Sequence, residues 1–426
     1  MRHCIPASSA LHPLTAPRSG ISRGGRCLRV LAFGLVGVLH GAGAWAASAA
    51  AVPLPSEPTS AGRVAAGAAP SAASTPPAAA ASVPSIVVQR WASVPRVVGH
   101  LEPRDLGLII NTDDPYSVQV GEYYAKARGL PESQVLRVKL PIKSALSRDE
   151  FTELARRIDE FYGDRVQALA LAWRLPYAVD CNSITGALTM GFDAQLCAKT
   201  CAPSKPSRYF GAASTRPYKD YGMRLSMMLA APNVDSAKAL IDRGVKSDGT
   251  LGLRGAPPAT VHLVTTSDSV RSVRQYLFPP AGPVPHLGLN IVLDKTDAVK
   301  NASRVLMYLT GRAQVDYLDT IDFLPGALAD HLTSFGGVLD KPHGQMTVLS
   351  WIDAGATATY GTTSEPCAHL QKFPHPQALL LFYAQGGSAI ESYWKSVAWP
   401  QQGLFVGEPL AAPFERAMIE QSSASR

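Results

Sequence analysis

Beyond residue 46 the chain has no glycine-rich phosphate turn, no Gly-x-Ser-x-Gly elbow and no His-Glu-x-x-His pair. Each pattern supplies a geometry its chemistry needs: amides around a phosphate, a serine on a strained turn, two imidazoles on one helix face. Their absence argues against nucleotide or dinucleotide binding by the usual loops, α/β-hydrolase chemistry and zincin chemistry. No cofactor and no metal site are expected. Acidic residues are missing from the first 29 positions, which hold Arg2, Arg18, Arg23, Arg26 and Arg29. Long apolar runs are missing too, since Val30 to Leu39 falls well short of the roughly 20 residues that span a bilayer. Basic start, short apolar run and Ala44-Trp45-Ala46 together read as a secretory signal peptide over residues 1–46. The expected location is therefore periplasmic or extracellular, with no membrane span in the mature chain.

Loss of those five arginines brings the formal charge from +7 to about +2, with 33 acidic residues unchanged. The basic excess belongs mostly to the targeting segment, so no nucleic-acid partner is expected. The expected partner is an envelope or extracellular ligand. Residues 47–88 carry only Glu57 and Arg63 among Ala, Pro, Ser and Thr, a composition that cannot offset its ordering entropy by burial. They read as a disordered, semi-extended linker ahead of one domain at 89–426.

Cysteines past residue 46 number four: Cys181, Cys197, Cys201 and Cys367. An even count in an exported chain reads as disulfides with three connectivities open, and no pair at ligand spacing completes a zinc site. The short Cys197–Cys201 spacing suggests a local bridge, leaving Cys181 to reach Cys367. Residues 174–222 then form a disulfide-pinned insertion.

The rest reads as α/β: a mostly parallel sheet flanked by helices in a three-layer, Rossmann-like or caspase-like sandwich. Short apolar runs at Leu106–Ile110, Val135–Leu140, Ala168–Ala172, Thr260–Thr265, Leu289–Leu293 and Ala356–Tyr360 predict strands. Asp114-Pro115 starts a helix that Gly129 stops, and Arg148–Tyr162 shows a helical apolar stripe. Helices are also expected over Val234–Asp242, Asn301–Tyr308, Gly326–Phe335 and Pro376–Ala384. Alternating strands and helices imply right-handed crossovers.

In such a sheet, ligands bind beyond the carboxyl ends of the strands. That rule selects Asn111, Asp114 and Ser117 after the first strand, Arg174 after the third, Thr333 and Ser334 near His331, and Glu365 in a turn of small residues. Candidate ligand-binding residues are Asn111, Asp114, Ser117, Arg174, Thr333 and Ser334. His331 and Glu365 are the candidate acid and base. Asp114 has a competing role as a helix cap, worth roughly 1 kcal/mol. Gly336-Gly337 and Gly386-Gly387 match no phosphate pattern.

Three stretches resemble a family of uncharacterised exported bacterial proteins: Phe323 to Gly337, Ala354 to Pro366 and Phe405 to Phe414. Asp114 to Pro131, with Tyr123-Tyr124 and Arg128-Gly-Leu-Pro, resembles that family's first βα unit, so the likeness spans about residues 100–415. More distantly, the element order and Gly386-Gly-Ser-Ala-Ile-Glu391 are similar to caspase-like peptidases of the gingipain and legumain kind. That resemblance implies a catalytic His after one strand and a catalytic Cys after a later one. This chain has Trp173-Arg174-Leu-Pro-Tyr177 at the first place, and Thr310-Gly-Arg and Asp322-Phe-Leu-Pro325 near the second. Without both members a thiolate–imidazole pair cannot form.

Two functional readings follow: a caspase-like module without peptidase chemistry that binds or scaffolds in the envelope, or a hydrolase using Glu365 and His331. A metal site built from Asp114, His331 and Glu365 is a third reading.

Overall fold

The computed structural model describes residues 90–340 and 343–415. The expected signal peptide and linker lie outside them. The first βα unit forms as its sequence requires. Strand β1 (Leu106–Asn111) is buried along its whole length, and helix α1 (Pro115–Arg128) follows. The Asp114 carboxylate caps α1 by accepting from Tyr116 N at 3.0 Å, and Gly129 ends it in the left-handed conformation that a side chain would resist. Strands β2 (Val135–Val138) and β3 (Ala145–Leu146) precede α2 (Arg148–Tyr162). A Ser147/Glu150 capping box starts α2, and Phe151, Leu154, Ile158 and Tyr162 are its buried face.

Strand β4 (Ala168–Leu171) leads into the segment expected as an insertion. That segment holds β5 (Ala178–Val179), β6 (Asn182–Ser183), α3 (Ile184–Met190), α4 (Ala194–Ala198) and α5 (Pro217–Tyr221). Next come β7 (Leu225–Met228), α6 (Val234–Ser247), β8 (Ala259–Thr265), β9 (Gly282–Val284) and β10 (Leu289–Lys295). The C-terminal part holds β11 (Val305–Thr310), β12 (Phe323–His331), α7 (Leu349–Asp353), β13 (Ala358–Thr362), α8 (Pro376–Ala384), α9 (Ala389–Ser396) and β14 (Gly403–Gly407).

The large sheet has 11 strands in the order β2-β1-β4-β7-β14-β13-β12-β11-β8-β10-β9; β3, β5 and β6 make a small second sheet. Pairing is mostly parallel, with β14 antiparallel to β13 and β9 antiparallel to β10. Loop contacts place the carboxyl ends of β4, β12 and β13 at one edge. Tyr177, beyond β4, donates to Asp340, beyond β12, and Ser364, beyond β13, donates to the Cys181 carbonyl. The fold is therefore α/β with a predominantly parallel sheet, as the alternating pattern implied.

Two expected helices are strands. Val305–Thr310 and Phe323–His331 are central strands, and β12 is buried continuously from Gly326 to His331. A strand covered on both faces shows an unbroken apolar run, which at this length cannot be told from a helix. Asp330 and His331, which fall within the expected Gly326–Phe335 helix, are each 1% exposed.

The disulfides join Cys181 to Cys197 and Cys201 to Cys367. This corrects the expected Cys197–Cys201 and Cys181–Cys367 pairing. Asn182 fixes the arrangement, with its amide bonded to Asp193 N and O, which brings the α4 residue Cys197 back onto Cys181. The second bridge ties the insertion to the loop after β13. Non-reducing peptide mapping is expected to recover these two cross-links, with no free thiol among Cys181, Cys197, Cys201 and Cys367. A Cys197–Cys201 peptide would contradict the fold.

Candidate functional site

The strand order contains two places where successive connections leave in opposite directions, between β1 and β4 and between β8 and β11. Crevices at such switch points are where α/β sheets bind ligands. At the first, the polar groups hold one another. Asn111 is fully buried, its Nδ2 donating to Leu140 O at 3.0 Å and its Oδ1 accepting from Leu140 N at 2.9 Å. Ser117 Oγ accepts from Asn111 N at 2.7 Å, and Asp114 caps α1. Arg174 donates to Pro232 O at 2.8 Å. Four residues expected to meet a ligand thus brace the loops after β1 and β4.

Near the second switch point a cleft of about 300 Å³ opens between the loops after β8, β12 and β13. It brings together Thr333, Ser334 and Glu365, which the strand-end rule selected, with Arg271 and Val270. Arg271 went unnoticed in the sequence, although the same rule applied after Thr260–Thr265 points to it. Glu365 is positioned by its own turn, with Oε1 accepting from Cys367 N at 2.7 Å. Cys367 and Ala368 both adopt positive φ, 58° and 52°, an uncommon conformation for residues other than glycine. The Cys201–Cys367 bridge anchors this lip.

Arg271 donates from Nη1 to Asp268 at 2.7 Å and from Nε to Thr333 Oγ1 at 3.2 Å. Thr333 in turn donates to Gln345 Oε1 at 2.7 Å, which also accepts from Phe335 N. The guanidinium is therefore held in place with Nη2 left over. Ser334 is half-buried on the cleft wall, and its carbonyl accepts from Thr362 Oγ1 at 2.8 Å. Backbones pack closely beneath: a Cβ on Gly337 would lie 2.7 Å from the Gly361 carbonyl oxygen, which accounts for a glycine there without any phosphate.

His331 does not line this cleft. It is enclosed in the sheet layer, with Nδ1 accepting from the Trp351 indole at 2.9 Å and Nε2 donating to Met346 O at 2.9 Å. Burial holds its pKa down at about 4. With both nitrogens engaged and the neutral form enforced, the imidazole has no lone pair for a substrate proton. Its neighbour Asp330 forms a buried ion pair with Arg274 at 2.5 Å, and burial pushes the Asp330 carboxyl upward. Lys372 is enclosed as well, donating to Thr200 O at 2.6 Å; burial lowers it to about 8, against the pull of the Glu365 charge.

Asp114, His331 and Glu365 do not meet. Four strand spacings separate β1 from β13, roughly 19 Å at about 4.8 Å each. Among the described residues no cluster of three or more His, Cys, Asp or Glu could hold a metal ion. No described helix is long and apolar enough to cross a membrane.

Fold and cleft together define an α/β protein with a small cleft at the carboxyl ends of a mostly parallel sheet. No family model and no curated protein matches the chain. Among solved structures, a chain described as "Structure of Protease" is similar at 9% identity and a TM-score of 0.38, covering 74% of this chain and 79% of that one. Likeness at that level brings no activity and no residue role to this protein.

Proposed function

We propose that this protein is an exported envelope module, caspase-like in its sheet but without peptidase chemistry, that binds a small zwitterionic ligand in the strand-end cleft. The observation behind this reading is the placing of Glu365 and Arg271 on one cleft of about 300 Å³, beside Thr333 and Ser334. A carboxylate and a guanidinium in one small site favour a ligand with an ammonium and a carboxylate of its own, such as an amino acid or a dipeptide. Among the described residues, no imidazole and no free thiol lines the cleft. His331 is enclosed, and all four cysteines beyond residue 46 are bridged.

Titration calorimetry with the standard amino acids and alanylalanine is expected to find saturable binding. Glu365→Gln and Arg271→Gln should each weaken it about tenfold or more, the size expected for one charge-assisted hydrogen bond. If no member of that panel binds, the zwitterion reading fails. The hydrolase reading of Glu365 with His331 is opposed by the two engaged imidazole nitrogens. Turnover of p-nitrophenyl acetate that is abolished by Glu365→Gln at unchanged melting temperature would reinstate an enzyme.

A further inference from the structure

A second and larger cleft, of about 970 Å³, lies between α2 and the disulfide-pinned insertion, and nothing in the strand-end site depends on it. Its base is Gln167 and Arg224, which stand at the amino ends of β4 and β7. Gln167 Oε1 accepts from the amides of Tyr218 and Lys219 at 3.1 and 3.2 Å, which fixes the α5 turn against the sheet. Arg224 is 4% exposed, bonded to Asp159 at 2.7 Å and to the Gly163 carbonyl, and stacked 3.9 Å over the Tyr218 ring. Its Nε has no hydrogen-bond partner among the described residues.

The charge of this cleft is one-sided. Lys205, Arg208, Lys219 and Arg224 line it against Asp159 and Asp164, and Asp159 is already paired with Arg224. Lys205, Arg208 and Lys219 form no ion pair among the described residues. Apolar side chains line it as well: Phe151 on α2, Met190 from the insertion, and Met223 just ahead of β7. An acidic ligand with apolar groups of its own matches that mixed cationic and apolar lining. A polyphosphate matches poorly, because the buried guanidinium already has both terminal nitrogens engaged and no glycine turn offers its amides.

We infer that this cleft binds an acidic peptide segment, its carboxylates on Lys205, Lys219 and Arg208 and its apolar side chains against Phe151 and Met190. The test uses the whole mature protein and a fluorescein-labelled Glu-Phe-Glu-Leu peptide, read by polarisation at low salt. Saturable binding is expected, weakened at least tenfold by Lys205→Glu with Lys219→Glu and weakened likewise when both peptide glutamates become glutamines. Both lysines are exposed, so the melting temperature should hold. Salt at several hundred millimolar should also weaken binding, since the Debye length falls toward about 3 Å at 1 M. Glu365→Gln should leave this binding unchanged, which separates it from the strand-end cleft. Absence of saturable binding, or binding that survives the lysine reversal or the glutamine peptide, overturns the assignment.

Discussion

Glu408→Ala is expected to destabilise the domain by about 3–5 kcal/mol, the cost of leaving a buried guanidinium without its partner. Glu408 is fully buried just after β14 and accepts from both Nε (3.0 Å) and Nη2 (2.6 Å) of Arg128, at the end of α1. Arg128 also pairs with Asp248 beyond α6, and Tyr124 donates its hydroxyl to Glu408 at 2.7 Å. The Glu408–Arg128–Asp248 network therefore ties three elements that are far apart in sequence. Removing both charges is a different experiment: Arg128→Met with Glu408→Leu should recover much of the loss, because a packed apolar pair replaces a desolvated ionic one. Urea unfolding of the two variants measures this, and a single-variant loss under about 1 kcal/mol would show that the network contributes little.

The second large effect concerns His331. Its folded pKa of about 4 lies below the ordinary value of 6.5, so the folded state resists a proton that the unfolded chain accepts. Above pH 6.5 both states are neutral and the group has no influence on stability. As pH falls from 6.5 to 4 only the unfolded chain gains the proton, and stability drops by about 1.4 kcal/mol per pH unit, roughly 3 kcal/mol in all. Below pH 4 both states are charged and the loss stops growing. Other groups titrate in this range, so the informative quantity is the slope of wild type minus that of His331→Leu, measured by urea unfolding between pH 7 and 4. The variant should be less stable at pH 7, having orphaned the Trp351 indole and the Met346 carbonyl, yet show a flatter slope. Parallel slopes would mean that His331 is not enclosed and neutral, and would return it to the list of catalytic candidates.

The site was partly legible because the strand-end rule works residue by residue. It found Thr333, Ser334 and Glu365, which the structure gathers in one cleft. It also returned Asn111, Asp114, Ser117 and Arg174, whose polar groups answer backbone in their own or neighbouring loops. A polar side chain after a strand serves a ligand or the turn itself, and the chain reads identically in both cases. His331 shows the same ambiguity at its strongest, since a buried imidazole with two partners and a catalytic one are the same letter.

What the sequence alone determined was local. The Asp114 cap, the Gly129 stop, the Arg148–Tyr162 helix and the apolar strands of the first unit follow from propensity and period within a few residues. The alternation of those elements implied a mostly parallel sheet. Everything that depended on contacts between distant residues was decided by the tertiary structure. Two buried strands read as helices because burial on both faces erases the period that marks a strand. The cysteines paired Cys181–Cys197 and Cys201–Cys367 because a bridge follows distance in space, which sequence spacing does not measure. Arg271 joined Glu365 across the cleft because β8 and β13 come to the same edge of one sheet, about 100 residues apart in the chain but only three strand spacings apart in the fold.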